Sequence, residues 1–241
     1  MTLVPVAIKL GVMTLRTIFV LAASVLLLGA GSSPDPERNA WPPPSPKSAT
    51  PPGPVLFSDQ FSDGALKGWK PDRSGVWTVH RGVLRADLPD ERQLRSFLYT
   101  GSEAWANYAV DLDVCGMRGV DKGVAVRVVE GEAGMAVDLR GPGYEDVLLQ
   151  RREWPLARAQ VINANGEWHH LRVEARDHRY RVWVDGSVVI DKEDAKKARS
   201  SGGIALAAYT GGTRQSTIYY DNVVVTGVGA SAGAEAAPAG N

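Results

Sequence analysis

Residues 107–114 read Asn-Tyr-Ala-Val-Asp-Leu-Asp-Val, and their alternation decides the fold. Successive side chains of a strand point to opposite faces, so Tyr108, Val110, Leu112 and Val114 line one face and Ala109, Asp111 and Asp113 the other. The same period recurs downstream. Val124, Val126 and Val128 oppose Ala125 and Arg127. Leu171, Val173 and Ala175 oppose Arg172, Glu174 and Arg176, and Tyr180, Val182 and Val184 oppose Arg181, Trp183 and Asp185. Further short strands are expected over 55–61, 76–80, 83–86, 96–100, 135–140, 146–151, 187–191, 204–209 and 216–225. Turn formers separate them: Arg81-Gly82, Gly141-Pro142-Gly143, Asn165-Gly166, Asp185-Gly186 and Gly211-Gly212. Residues 192–199 are the one helix-friendly stretch, too short for a crossover between parallel strands, and read as a loop. The expectation is an all-β fold, an antiparallel two-sheet β-sandwich of the jelly-roll kind.

The pattern stops at both ends. Residues 17–30 form an apolar run preceded by Lys9 and Arg16, as in a secretory signal peptide. Its apolar core is shorter than the ~20 residues a spanning helix needs, which makes an uncleaved membrane anchor the lesser alternative. Residues 32–54 are proline-rich and read as an extended tether, and residues 227–241 as a Gly/Ala-rich disordered tail. The folded domain is therefore expected over 55–226, secreted, periplasmic or at the cell surface. Lys plus Arg is 27 and Asp plus Glu is 27, so the chain lacks the net positive charge that suits a nucleic-acid partner. A single cysteine, Cys115, excludes an intrachain disulfide, and its place at the end of an apolar strand makes it a small buried residue.

Several short motifs follow one another in order. They are Phe57-Ser58-Asp59-Gln60-Phe61-Ser62-Asp63-Gly64, Gly68-Trp69, Gly75-Val76-Trp77, Gly82-Val83-Leu84, Gly123 to Arg127, Glu167-Trp168-His169, Val184-Asp185-Gly186, Gly203-Ile204-Ala205-Leu206 and Asp221-Asn222-Val223. This order resembles the concanavalin A-like, laminin-G-like jelly rolls of the bacterial 3-keto-disaccharide hydrolase (family-16-like) group over nearly all of 55–225. The resemblance implies a sandwich whose concave sheet handles carbohydrate. Enzymatic members carry Asn-Ser-Gly where this chain has Asp121-Lys122-Gly123, and a Glu and a Gln where it has Met135, Ala136 and Val137. Asp138 is then the nearest polar group.

A glycosidase needs two carboxyl groups about 5–10 Å apart. Asp111 and Asp113 are such a pair, about 6.8 Å apart along one strand, and Asp138 joins them if its strand lies close. The bland alternative is that alternating aspartates solvate an exposed sheet face. No Gly-x-Ser-x-Gly or His-Glu-x-x-His is present, and the adjacent His169 and His170 point to opposite faces, so a packed role for His169 is expected. Asp59, Asp63 and Asp221 supply hard oxygens for a candidate structural calcium ion. For sugar binding the handles are Trp183, which shares a face with Arg172 and Glu174, and Trp154, in a turn-like segment; Arg127, Asp138 and Gln150 are the polar partners. Trp69 and Trp77 are expected in the core. The expectation is an exported, lectin-like module that binds carbohydrate or cell-envelope polysaccharide without catalysis. A glycoside or 3-keto-disaccharide hydrolase using Asp111, Asp113 or Asp138 is the first alternative, and a structural or adhesive envelope module the second.

Overall fold

A computed structural model describes residues 53–130, 134–151, 154–196 and 199–229. The leader over 1–31, and the tether and tail apart from 53–54 and 227–229, lie outside the described residues. The strands are β1 (Val55–Asp59), β2 (Lys70–Pro71), β3 (Trp77–His80), β4 (Val83–Leu88), β5 (Arg95–Thr100), β6 (Tyr108–Arg118), β7 (Asp121–Val128) and β8 (Met135–Arg140). There follow β9 (Asp146–Arg151), β10 (Trp154–Gln160), β11 (Trp168–Arg176), β12 (Arg179–Val184), β13 (Ser187–Glu193), β14 (Gly203–Tyr209) and β15 (Ser216–Gly227). The only helix among the described residues is the 3-10 turn Gly211–Thr213, and none is long and apolar enough to cross a membrane.

Two antiparallel sheets form the sandwich. Sheet I runs β13-β12-β11-β6-β15-β4-β3, with β1 also paired to β15; sheet II runs β10-β9-β8-β7-β14-β5-β2. The alternation in the sequence is the alternation of the core: Tyr108, Val110, Leu112 and Val114 pack against Val124, Val126, Leu171, Val173, Tyr180 and Val182 between the sheets. Trp69 and Trp77 are buried in the same core, and Cys115 is fully buried.

Three local readings need correction. Val128 was expected beside Val124 and Val126, but it packs with Ala125 and Ala205 on the other face. The cause is Arg127, whose φ of 56° makes a bulge that shifts the register against β14 and inverts the alternation. Trp154 begins a strand rather than sitting in a turn. Pro155 is tolerated there because β10 is an edge strand with a bulge between Pro155 and Ala157. Within the stretch read as a loop, Lys192 and Glu193 complete β13.

Candidate functional site

Sheet II places alternate residues of five strands on its outer face. Register puts Asp138 of β8 opposite Gly123 of β7, Gly123 opposite Ala207 of β14, and Ala207 opposite Phe97 of β5. The next row is Gln150, Ala136, Ala125, Ala205 and Tyr99. Small side chains form the floor at the centre, where Ala125 and Ala205 are buried and Phe97, Tyr99 and Ala136 pack against them. Gly123 is required here: at its φ of 154° an added Cβ would collide with the Val137 carbonyl oxygen. The Tyr220 hydroxyl accepts from the Gly123 amide at 2.8 Å and bonds the Ala207 carbonyl at 2.6 Å, pinning the two strands from beneath.

The row beyond the floor carries charge: Asp146, Arg140, Asp121, Tyr209 and Arg95 lie side by side. All but Asp146 border a cavity of about 300 Å³, which Gln150 and Arg158 line as well. Arg95 stacks over the Tyr209 ring at 4.3 Å and Arg140 over the Tyr144 ring at 4.2 Å. Arg140 bonds both oxygens of Asp146, at 2.6 and 2.5 Å, and Arg158 reaches the second of them through Nε at 3.1 Å.

Asp138 and Asp121 are diagonal neighbours on adjacent strands, a geometry that sets backbones about 7–8 Å apart. Burial, and then the charge of Asp121, push the Asp138 carboxyl up to about 7, against the hydrogen bond from Gln150 and the attraction of Arg95 and Arg140. Burial pushes Asp121 up to about 6, against Arg140, Arg95 and Lys122. The Asp121 Oδ1 is buried without a hydrogen-bond partner. A carboxyl group held protonated to neutral pH lies beside one that ionises earlier, which is the arrangement acid–base chemistry uses.

The aspartate pair of β6 lies elsewhere. Asp111 and Asp113 are on the outer face of sheet I, so Asp138, on sheet II, cannot join them. His170 fills the space between the pair, with Nδ1 2.8 Å from Asp113 Oδ1 and Nε2 3.3 Å from Asp111 Oδ1. Asn222 donates to the other Asp113 oxygen at 2.7 Å, and Arg172 to the other Asp111 oxygen at 2.5 Å. A bulge in β15, with Asn222 at φ 52°, turns that asparagine toward Asp113. His169 points the other way, bonded through Nδ1 to Asp185 at 2.8 Å.

The expected sugar-binding set is split between four places. Gln150 lines the sheet II cavity, with Asp138 bonded behind it. Trp183 is on sheet I, its ring covered by Arg172 at 5.6 Å, and Arg172 lies 3.9 Å from Glu174. Trp154 is 79% exposed at the tip of β10. Arg127 is in no groove: it is buried at one end of the sandwich, where its guanidinium bonds the carbonyls of Ala106 and Asp177 and the hydroxyl of Tyr180. The bulge that displaced Val128 also turned Arg127 inward.

The calcium set does not assemble. Asp59 accepts from the Phe61 amide at 2.7 Å and from Trp69 Nε1 at 2.8 Å, and Asp63 from the Ala65 amide at 3.0 Å and Lys67 at 2.8 Å. Asp221, on the strand paired with β1 and two residues from the partner of Asp59, accepts from the Asn222 amide at 2.7 Å. Among the described residues no group of three or more His, Cys, Asp or Glu is arranged to hold a metal ion.

Sequence reasoning missed Asp121, Arg95, Arg140, Arg158 and Tyr209. One signal was present: Asp121, Gly123 and Ala125 share a face, and small residues on an outward face leave room above a sheet.

The family described as the 3-keto-alpha-glucoside-1,2-lyase-like domain matches residues 56–226. Among solved structures, the carbohydrate-binding module CBM66 from Bacillus subtilis is similar with 17% identity and a TM-score of 0.54, over 66% of this chain and 95% of that one. The exoplasmic/lumenal domain of VIP36, in a Ca2+/Man3GlcNAc-bound form, has 13% identity and a TM-score of 0.56, over 75% of this chain and 90% of that one. The alginate lyase Aly36B has 16% identity and a TM-score of 0.51, over 73% and 98%. At these identities the likeness is one of fold. No curated protein matches the chain.

Proposed function

The chain belongs to the family of 3-keto-alpha-glucoside-1,2-lyase-like domains, and from that premise we propose that it binds a saccharide in the cavity on the outer face of sheet II. The observation that carries this reading is the cavity of about 300 Å³ in which Tyr144, Tyr209, Gln150, Asp121 and the guanidinium groups of Arg95, Arg140 and Arg158 converge. The guanidinium, amide and carboxyl groups of such a lining collect the hydroxyls of a sugar, and the edges of the two tyrosine rings give it apolar contact. The solved relatives whose names include a carbohydrate-binding module and a glycan-bound lumenal domain support the same class of ligand. The test is a glycan array on the full chain, followed by calorimetry on any hit with Tyr209→Ala. Binding that this substitution weakens supports the site; silence across neutral, acidic and 3-keto sugars sinks it.

A second reading, catalysis, is favoured by the Asp121–Asp138 pair. A ketone at C3 of a glucoside acidifies the hydrogen on C2. Asp121, ionised above about 6, takes that proton; the C1–C2 double bond forms, the C1–O bond breaks, and Asp138, protonated up to about 7, gives its proton to the departing oxygen. The products are an unsaturated keto sugar and an alcohol, with no oxidant required. The expected outcome is release of p-nitrophenol from its 3-keto-α-glucoside, lowered about 10²–10⁴-fold by Asp121→Asn. A chain that binds such sugars and leaves them intact is a binding module only. Export is part of the proposal, supported by the apolar run over 17–30.

A further inference from the structure

We propose that the saccharide taken by the sheet II cavity is acidic, carrying a carboxylate or sulfate that sits against Arg158 and Arg140. This deepens the saccharide-binding reading and rests on it.

Among the described residues, three guanidinium groups, Arg95, Arg140 and Arg158, line the cavity, against the single carboxyl group of Asp121 in its wall. Asp146, behind the wall with its side chain only 7% exposed, faces two of those guanidinium groups with one carboxylate. Arg140 takes it in a two-point bond, so Arg158 is left with an edge contact through Nε alone. The outer nitrogens of Arg158 point away from any bonded partner among the described residues, on a side chain 56% exposed at the cavity rim. A planar fork with two free donors matches the two oxygens of a carboxylate or sulfate.

The two buried carboxyl groups reinforce the imbalance. Burial holds Asp138 protonated to about 7 and delays the ionisation of Asp121 to about 6, so less negative charge offsets the arginines than composition suggests. A second cavity shows that this is not a general property of the surface. The cavity of about 320 Å³ beside β4 and β15 has two arginines, Arg85 and Arg118, matched by two aspartates, Asp87 and Asp90. There Arg85 is already bonded to Asp87 at 2.5 Å.

The test uses the full chain and matched probes: α- and β-linked gluco-oligosaccharides, the same oligosaccharides oxidised at C6 to uronates, and their 6-O-sulfates. Affinity is measured at low and at high salt. The uronate or the sulfate is expected to bind at least tenfold tighter than the neutral sugar, with the advantage shrinking at high salt because the contact is at a solvated rim. Arg158→Gln should remove most of that advantage, while Arg181→Gln, an arginine on the opposite sheet, should not. The two acidic sets decide between carboxylate and sulfate. Equal affinity for neutral and acidic probes overturns the inference and leaves the saccharide site standing. Failure to bind any probe overturns the saccharide reading and the inference together.

Discussion

On the outer face of sheet I, Asp113 is buried beside His170 and Asn222. On the outer face of sheet II, Asp138 is as deeply buried, but its neighbour across the strands is another carboxyl group, Asp121. Each oxygen of Asp113 has a donor of its own, and Asp111 beside it is held by Arg172 and His170. That network is closed, and Trp183 beside it is covered by the Arg172 that holds Asp111. The sheet II face holds an unpartnered carboxyl oxygen on Asp121, a proton retained on Asp138 and an open cavity beside Asp121, Arg140 and Gln150. Aspartates on a sheet face thus become framework or site according to whether their neighbours supply donors. A closed network gives stability at that place; an unsatisfied one waits for a ligand.

The comparison is most severely tested by removing the closed side. Asp113→Ala leaves His170 and Asn222 without their buried acceptor, and the expected loss is about 3–5 kcal/mol of unfolding free energy in urea melts. A loss under about 1 kcal/mol would mean that water already screens the network.

Asp138→Asn breaks the other side and should act in the opposite direction. Asp138 has a folded pKa raised to about 7 from 3.8, so the folded state retains a proton that the unfolded chain has released. The wild type therefore loses stability as pH rises from about 4 to about 7, and the variant, with nothing to ionise at that position, does not. Melts at both ends of that range should show the variant gaining on the wild type by up to about 4 kcal/mol as pH rises. The groups facing Asp138 are Asp121, Gln150, Arg95 and Arg140, and Asp121 contributes in the same sense. A pH-independent difference between the two proteins would show that Asp138 ionises as an ordinary surface aspartate.

Smaller effects locate the ligand. Tyr209→Ala should weaken saccharide binding about tenfold, equivalent to about 1.4 kcal/mol, in calorimetry. Trp183→Ala should leave affinity within about twofold and cost under about 1 kcal/mol of stability, since its ring holds Arg172 rather than a sugar. If instead Trp183→Ala abolishes binding and Tyr209→Ala does not, the site belongs on sheet I.

The fold was legible because burial between two sheets imposes a period of two on each strand, and residues 107–114, 168–176 and 179–184 keep it without interruption. Reading failed where one residue left the regular backbone. The bulge at Arg127 moved a nominated site residue into the interior, and nothing in Arg127-Val128 announces a positive φ. Gln150 and Asp138, named as polar partners of a sugar, lie on sheet II, whereas Arg172, Glu174 and Trp183, named with them, lie across the sandwich on sheet I.

What the sequence determined by itself was the set of strands, the identity of most core side chains and the presence of aspartates on solvent-side positions, because these follow from contacts a few residues apart. Only the tertiary structure decided which aspartates meet donors and which meet one another. Asp113 finds Asn222 and Asp121 shares its cavity with Arg95, over distances of 109 and 26 positions in the chain, because β15 pairs with β6 and β14 lies between β7 and β5. Local alternation fixes the face on which a side chain emerges; strand order fixes its company, and company sets its charge.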